Sequence, residues 1–315
     1  MLIAATGLTG FVGREIARRL AREGDLRIRA LVRAGGRRDR LLQVAPEAEV
    51  LEGDVADAGV LARLVEGAGA VVHASHDMLG GDEGRRFRDE GPGFRHDYLD
   101  RNLRAGCDLI AAARLAGVRQ FVAISSFSVY GRQPHEGPPI TDDSAPRPNN
   151  PYSALKAAFD AFCHAFDGRL PDGVSILRPS LVIGMDPKPE DSNYWAMARS
   201  ILANEPVEAS GGTSTVRNED VAEAVALAIR KPAIARGVVN LADRYTDVAE
   251  VAEILKEMSG SRSEIRVGVR RGEPTTPASC ARAVALGVRF RGVDGLREHL
   301  ARVLAAARQG AAPTR

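Results

Sequence analysis

The sequence predicts an α/β fold in which a doubly wound parallel sheet of the Rossmann type carries a smaller C-terminal substrate-binding lobe. Three observations favour this fold. An apolar run at the N-terminus leads into a glycine-rich turn and a helical pattern, strand-like and helical segments alternate through the first half, and 315 residues with 44% hydrophobic content can bury a large core. We expect the sheet domain to cover residues 1–178, with 214–242 returning to it, and the lobe to cover 179–213 and 243–315.

The first predicted unit is a strand, a tight turn and a helix. Residues 2–5 are apolar, the stretch TGLTGFVG follows at once, and apolar residues then recur at helical spacing until about Gly24. Glycines let the backbone turn sharply and approach a pyrophosphate, whose charge is stabilised by the free N–H groups at the start of the helix. The turn therefore predicts a dinucleotide site built on Gly7, Gly10 and Gly13. Because the chain has 32 glycines, a purely structural turn is the alternative.

The second strand-like run, LRIRALVR, ends at Arg33, about 20 residues after the last of these glycines. A site for the unphosphorylated cofactor usually has Asp or Glu there, to bind the ribose 2′-hydroxyl. Guanidinium groups bind phosphate well, so Arg33, followed by Arg37 and Arg38, predicts a preference for NADP over NAD. An arginine in a solvated loop is the alternative.

Strands and helices continue to alternate along the first half, which indicates a parallel sheet with helices on both faces. Strand-like runs lie at 49–55, 70–75, 119–126 and 174–180, with helical patterns near 57–66, 98–116 and 152–168. Ligands of such sheets bind at the carboxyl ends of the strands. The residues expected to line that crevice are Asp54, Ala74, Ser126 and Pro179. The irregular stretches 77–97 and 132–151 are predicted to wall the substrate side, with flexible surface loops as the alternative.

The stretch PYSALK places Tyr152 and Lys156 four residues apart, a spacing that brings two side chains to one face of a helix. A nearby ammonium favours the phenolate, which lets a tyrosine serve as a proton shuttle at neutral pH. The spacing therefore predicts a catalytic pair. A surface helix with an unrelated Tyr and Lys is the alternative, and the glycine turn makes it less attractive.

Composition argues against several classes of function. The formal charge of +2, without a basic stripe interleaved with aromatics, gives no support for nucleic-acid binding. No apolar run approaches a membrane span, and a strand beginning at residue 2 leaves no room for a targeting peptide, so we expect a cytoplasmic protein. The cysteines (Cys107, Cys163 and Cys280) are far apart and are expected to be buried free thiols. His73 and His76 lack further ligands at metal-binding spacing, so no metal is expected. The Ala/Arg-rich tail after about residue 308 is expected to be disordered.

Taken together, the motifs resemble those of the extended short-chain dehydrogenase/reductase family, also called the NAD-dependent epimerase/dehydratase family, nearly from end to end. The motifs are TGLTGFVG, GDV, VVHAS, SSFSVYG, PYSALK, LRPSLVIG and NEDVAEAV. The resemblance implies that Tyr152 is the general acid/base, that Lys156 binds the nicotinamide ribose and assists the tyrosine, and that Ser126 binds the reacting oxygen. Its neighbours Ser125 and Ser128 keep this last choice open.

The same resemblance implies the remaining cofactor contacts and the assembly. Phe11 and Val12 would contact the pyrophosphate, Asp54 and Val55 the adenine, and Ala74 the cofactor backbone. Asn102 matches a family asparagine near the nicotinamide. Family members often dimerise through the helices that correspond to 98–116 and 152–168, so a homodimer acting on a small-molecule substrate is expected.

Two departures from the family pattern narrow the activity. Phe127 and Ser128 stand where dehydratases carry an Asp-Glu pair, which argues against elimination of water. Gly212 and Thr213 stand near the position of an arginine that clamps nucleotide-sugar substrates, which weakens that substrate class. The leading hypothesis is an NADP-preferring oxidoreductase that moves a hydride between nicotinamide and a secondary alcohol/ketone pair. The alternatives are a sugar-nucleotide epimerase and a non-catalytic dinucleotide-sensing regulator.

Overall fold

The computed structural model describes residues 1–77, 96–131, 139–268 and 278–309. Its central element is a parallel sheet of seven described strands. These strands are β1 (Leu2–Thr6), β2 (Arg27–Val32), β3 (Glu49–Glu52), β4 (Ala70–His73), β5 (Gln120–Ile124), β6 (Gly173–Pro179) and β10 (Gly237–Leu241). The strands of the C-terminal part are β7 (Leu181–Ile183), β8 (Val207–Ala209), β9 (Gly212–Arg217), β11 (Arg244–Asp247) and β12 (Ile265–Val267).

Helices connect these strands on both faces. In chain order the described α-helices are α1 (Phe11–Ala21), α2 (Arg38–Leu42), α3 (Ala58–Val65), α4 (His96–Leu99), α5 (Ala105–Leu115), α6 (Pro151–Asp167), α7 (Trp195–Leu202), α8 (Asn218–Arg230), α9 (Pro232–Ala235), α10 (Val248–Ser259), α11 (Ala281–Leu286) and α12 (Gly292–Gln309). A π-helical turn (Asp100–Arg104) joins α4 to α5, and short 3₁₀ turns occupy Phe127–Tyr130 and Pro189–Asp191.

The sheet order is β10-β6-β5-β4-β1-β2-β3, with every pairing parallel. The order reverses at β1, which has β2 on one side and β4 on the other, with Ala5 opposite both Ala30 and Val72. A ligand crevice opens at the carboxyl ends of strands where the order reverses in this way. The predicted Rossmann-type fold is confirmed, and the predicted crevice residues lie at or just beyond the carboxyl ends of β3, β4, β5 and β6.

Two apolar cores hold the helices against the sheet. On one face the cluster includes Ile16 and Leu20 of α1 together with Val225 of α8. On the other it includes Leu109 of α5 and Phe159 of α6. All residues of β5 and β6 are buried, because helices cover both faces of the strands.

The C-terminal part has a core of its own, formed largely by α7, α10 and α12, with Ile201, Leu255 and Leu300 buried. Two small sheets accompany it: β11-β9-β7 and β12-β8. The chain passes between the two parts several times. Strand β9 belongs to a small sheet, α8 contributes to a core of the main sheet, and β10 pairs with β6. The domain boundaries stay a prediction.

The predicted segments correspond to observed elements within one to three residues for α3, α6 and most strands. The helical pattern at 98–116 is divided into α4, the π turn and α5. The prediction of irregular structure up to residue 97 was wrong at its end, because α4 begins at His96. Most of that stretch (78–95), part of the second one (132–138) and the tail 310–315 lie outside the described residues.

The described helices include none that is both long and apolar enough to cross a bilayer. Over the same residues, no group of three or more potential metal ligands comes together. The cysteines are free, Cys163 is buried as expected, and Cys107 and Cys280 are only half-buried.

Candidate active site

The glycine turn between β1 and α1 has the geometry of a phosphate cradle. Gly7 has φ +78°, and a Cβ there would lie 2.5 Å from the backbone of Ala74 and Ser75. A Cβ at Gly13 would lie 2.0 Å from the Gly7 carbonyl oxygen, so α1 can approach β1 only with glycine there. No described side chain caps α1 after Gly10, which leaves its first N–H groups open to an anion. The turn therefore fits a dinucleotide pyrophosphate, although the individual cofactor contacts predicted for Phe11 and Val12 stay predictions.

On the β3 side of the crevice, Asp54 is exposed and its Oδ1 accepts a hydrogen bond from the Ala56 N–H at 2.9 Å. Val55 is half-buried beside it. Both residues follow β3, where the family pattern predicts the adenine contacts.

Arg33 follows β2 as predicted, with 63% of its side chain exposed. Its Nη1 donates to Asp77 Oδ2 at 2.8 Å, and Arg101 Nη1 reaches the same oxygen at 3.2 Å. Arg37 pairs instead with Asp39, at 3.4 Å. The guanidinium that predicts a phosphate site is thus bound to a carboxylate of the protein.

Asn102 lies in the π turn and is 5% exposed. Its Oδ1 accepts from the Asp77 N–H at 2.7 Å, while its Nδ2 donates to the carbonyl oxygens of Asp77 and Tyr98, each at 3.0 Å. A π turn in a helix often marks a functional site. Here the asparagine fixes the backbone just beyond β4, and its predicted role beside the nicotinamide stays a prediction.

Tyr152 and Lys156 both lie at the start of α6, one turn apart. The helix begins with Pro151 at its first position and a capping box between Asn150 and Ser153, which fixes where the first turn starts. Lys156 is 7% exposed, and its Nζ donates to the Ile124 carbonyl oxygen at 3.0 Å, at the carboxyl end of β5. The half-buried Tyr152 lies one turn closer to the N-terminus of the helix. The predicted pair is therefore brought to the crevice.

His76 packs against Tyr152, a contact that the sequence did not predict. The two rings meet edge to face, with centroids 5.0 Å apart and planes at 90°. Tyr98 packs on His76 in the same way, and its hydroxyl lies 3.1 Å from His76 Nε2. Burial, assisted by the charge of Lys156, lowers the pKa of His76 to about 3, and burial raises the pKa of Tyr98 to about 12. Both groups are neutral at physiological pH, so neither adds a charge beside the Tyr152 ring.

The serine cluster after β5 favours Ser126. Ser125 is 3% exposed and its N–H is used in the sheet, donating to the Leu177 carbonyl oxygen at 2.8 Å. Ser126 is half-buried in extended backbone just before the 3₁₀ turn, and its Oγ lies 2.9 Å from Ser128 Oγ. Ser126 and Ser128 thus form a linked hydroxyl pair beside the strand end to which Lys156 is anchored. The catalytic assignment of Ser126 stays a prediction.

One helical turn beyond Lys156 lies a buried polar network that the sequence did not predict. Arg178 and Asp160 are each 2% exposed and pair at 2.9 Å, and Arg178 Nη1 donates to the Tyr130 hydroxyl at 2.7 Å. That hydroxyl donates to Asn240 Oδ1 at 2.9 Å. Burial raises the pKa of Asp160 and Arg178 opposes the change. The spacing of Asp160, four residues after Lys156, is a sequence signal that could have placed it on this face of α6.

Two positions bear on the substrate class. Phe127, where dehydratases of the family have an acidic residue, is 5% exposed and packs edge to face on Tyr130. Gly212 and Thr213 stand near the position of the substrate-clamping arginine, and Arg217, the next arginine in this segment, is held by Asp220, with its Nε donating at 2.9 Å. Neither position offers an acid or an unpaired cation to a ligand.

A family model described as the NAD dependent epimerase/dehydratase family matches residues 3–242. The 3 beta-hydroxysteroid dehydrogenase/Delta 5-->4-isomerase of Mycobacterium tuberculosis is 32% identical over 187 residues, which are 58% of this chain and 47% of that protein. The match thus spans about half the length of that relative.

Two solved structures cover nearly the whole chain. A UDP-glucose 4-epimerase from Thermotoga maritima, solved with UDP-glucose, superposes with a TM-score of 0.78 at 21% identity, covering 98% of this chain and 99% of that one. That likeness shows the fold. MoeE5, solved in complex with UDP-glucuronic acid and NAD, superposes with a TM-score of 0.74 at 26% identity over the same fractions.

Proposed function

This chain belongs to the NAD-dependent epimerase/dehydratase family, and from that membership and its site we propose that it is an NAD(P)-dependent oxidoreductase acting on a secondary alcohol/ketone pair. One observation carries the proposal. The ammonium of Lys156 is buried and donates to the Ile124 carbonyl oxygen at the carboxyl end of β5, and Tyr152, one helical turn before it, packs on His76 just beyond the end of β4.

In this proposal the bound cofactor supplies or accepts the hydride, and the side chains of the chain handle the proton. Tyr152 Oη removes the hydroxyl proton from an alcohol or returns it to a ketone, and the ammonium of Lys156 stabilises the phenolate. Ser126 Oγ donates to the reacting oxygen and stabilises its developing charge. His76 and Tyr98 fill the space beside the phenol, which keeps water away and strengthens the attraction between the phenolate and Lys156.

The glycine turn supports a dinucleotide cofactor, and MoeE5 was solved with NAD. The preference for NADP rests on Arg33, Arg37 and Arg38, of which Arg33 is paired with Asp77 and Arg37 with Asp39. The cofactor is therefore proposed as NAD or NADP.

Replacing Tyr152 with Phe tests the proposal directly. The substitution keeps the ring that packs on His76 and removes the proton-carrying hydroxyl. We expect turnover to fall by about 10³-fold, with dinucleotide affinity within about twofold of wild type, because general acid–base catalysis contributes about 10²–10⁴-fold. The measurements are reduced-nicotinamide absorbance with a panel of ketones and secondary alcohols, and calorimetric titration of the dinucleotide. Unchanged turnover would refute the role of Tyr152.

A sugar-nucleotide epimerase is the second candidate, because MoeE5, which is 26% identical and covers nearly the whole chain, was solved with a nucleotide sugar. The engagement of Arg217 by Asp220 counts against it. An epimerase would purify with bound dinucleotide and convert a nucleotide sugar with no net change in reduced-nicotinamide absorbance. A chain that binds dinucleotide and turns over neither class would instead be the regulator.

We also propose a homodimer through α5 and α6. Leu115 is 83% exposed and Phe162 is 46% exposed on these helices, and a second copy of the chain would cover them. A monomeric mass by light scattering would contradict this. A cytoplasmic location stays a prediction.

A further inference from the structure

Asp77 links two arginines at the mouth of the crevice. Its Oδ2 accepts from Arg33 Nη1 at 2.8 Å and from Arg101 Nη1 at 3.2 Å. The Asp77 side chain is 18% exposed, whereas Arg33 is 63% and Arg101 42% exposed. A largely buried carboxylate therefore accepts from two more exposed guanidinium groups.

The ion pair between Arg33 and Asp77 spans the predicted cofactor site. Arg33 directly follows β2 and Asp77 lies four residues beyond the end of β4. Because β1 lies between β2 and β4, the pair passes over the carboxyl end of β1, where the glycine turn begins. A dinucleotide whose pyrophosphate lies on that turn would pass close to both residues.

The backbone at Asp77 is held in place. Asn102 accepts a hydrogen bond from the Asp77 N–H and donates one to the Asp77 carbonyl oxygen, and Asn102 is itself 5% exposed. The guanidinium of Arg33, on a long and exposed side chain, is the partner able to change position.

We propose that Asp77 is a cofactor-specificity residue, whose carboxylate holds the guanidinium of Arg33 and so favours the unphosphorylated dinucleotide. The inference rests on the proposed function only in requiring that a dinucleotide binds at the glycine turn. A 2′-phosphate has to share the guanidinium of Arg33 with Asp77 and then lies near an additional negative charge, whereas a ribose hydroxyl faces neither penalty. Arg33, which by sequence alone predicts NADP, is in this structure restrained by a residue 44 positions away.

The test compares Asp77→Asn, Arg33→Met and the double variant with wild type by calorimetric titration of NAD⁺ and NADP⁺. Asparagine keeps the backbone held by Asn102 and removes the charge. We expect Asp77→Asn to raise NADP⁺ affinity by about tenfold, or about 1.4 kcal/mol, with NAD⁺ affinity within about twofold, because the 2′-phosphate no longer competes with a carboxylate for Arg33 or lies beside its charge. The gain should vanish in the double variant.

Asp172→Asn is the matched control. Asp172 pairs with Arg119 at 2.8 Å, and both residues precede the amino ends of β6 and β5, away from the crevice, so this variant should keep the wild-type ratio of affinities. An unchanged ratio in Asp77→Asn, or a gain that persists without Arg33, would overturn the inference and leave the proposed function intact. A wild-type chain that binds neither dinucleotide would refute both.

Discussion

The two sides of the crevice hold their charged groups in different ways. Beneath Tyr152, Asp160 and Arg178 are each 2% exposed and Lys156 is 7% exposed, and their partners are fixed side chains and carbonyl groups. Near the end of β2, Arg33 is 63% exposed, and its partner is a carboxylate that a ligand could replace.

This difference follows from the cost of removing charge from water. A buried ion pair loses much of its hydration, so removing one partner leaves an uncompensated charge. An exposed pair keeps its hydration and contributes little to stability. The chain thus has buried, paired groups beside the proposed proton-transfer residues and exposed, paired groups beside the proposed cofactor site. The same substitution, Asp→Asn, tests both sides.

Asp160→Asn should have the largest effect on stability. The amide has nearly the shape of the carboxylate but leaves the buried Arg178 unneutralised, so we expect the free energy of unfolding to fall by about 3–5 kcal/mol. Urea denaturation measures it. A loss below about 1 kcal/mol would contradict the view that the buried side is held by this pair.

The buried histidines should make the chain acid-sensitive. Burial, with the charge of Lys156, lowers the pKa of His73 and of His76 to about 3 from an ordinary 6.5. Below pH 6.5 the histidines of the unfolded chain take up protons that those of the folded chain do not. Their effect on the free energy of unfolding is therefore absent well above pH 6.5, and the free energy of unfolding falls as the pH drops towards 3. Each histidine contributes up to about 1.4 kcal/mol per pH unit within that window.

Urea denaturation at pH 7.5 and 5.5 tests this, with His76→Phe as the variant. Phenylalanine keeps an aromatic ring against Tyr152 and cannot titrate. The free energy of unfolding of the His76→Phe variant should therefore fall between the two pH values by about 1 kcal/mol less than that of wild type. The control is His164→Gln, on the exposed face of α6, which should match wild type. An equal loss in His76→Phe and wild type would show that His76 does not stay neutral in the fold.

Asp77→Asn should have the smallest effect on stability. Its partners are 63% and 42% exposed, so we expect the free energy of unfolding to change by less than about 1 kcal/mol, in contrast to Asp160→Asn. A loss as large as that of Asp160→Asn would remove the distinction between the two sides.

The parts of the fold and site that were predicted are those encoded locally. The glycine turn, α1 and the pair Tyr152/Lys156 each depend on residue spacing within one segment, so the sequence alone is enough to predict them. The ion pairs Arg33–Asp77 and Asp160–Arg178 join residues 44 and 18 positions apart, and His76 reaches Tyr152 from another strand end. Such contacts depend on which strands are neighbours in the sheet and on which face each helix turns towards it. The spacing of residues within a motif fixes neither of these.

A crystal structure of the chain with a bound dinucleotide tests the central claim most directly. The account predicts that the pyrophosphate lies on the turn at Gly7–Gly13 and the nicotinamide lies beside Tyr152, with Lys156 Nζ within hydrogen-bonding distance of its ribose. A dinucleotide bound elsewhere, or a nicotinamide out of reach of the Tyr152 hydroxyl, would contradict it.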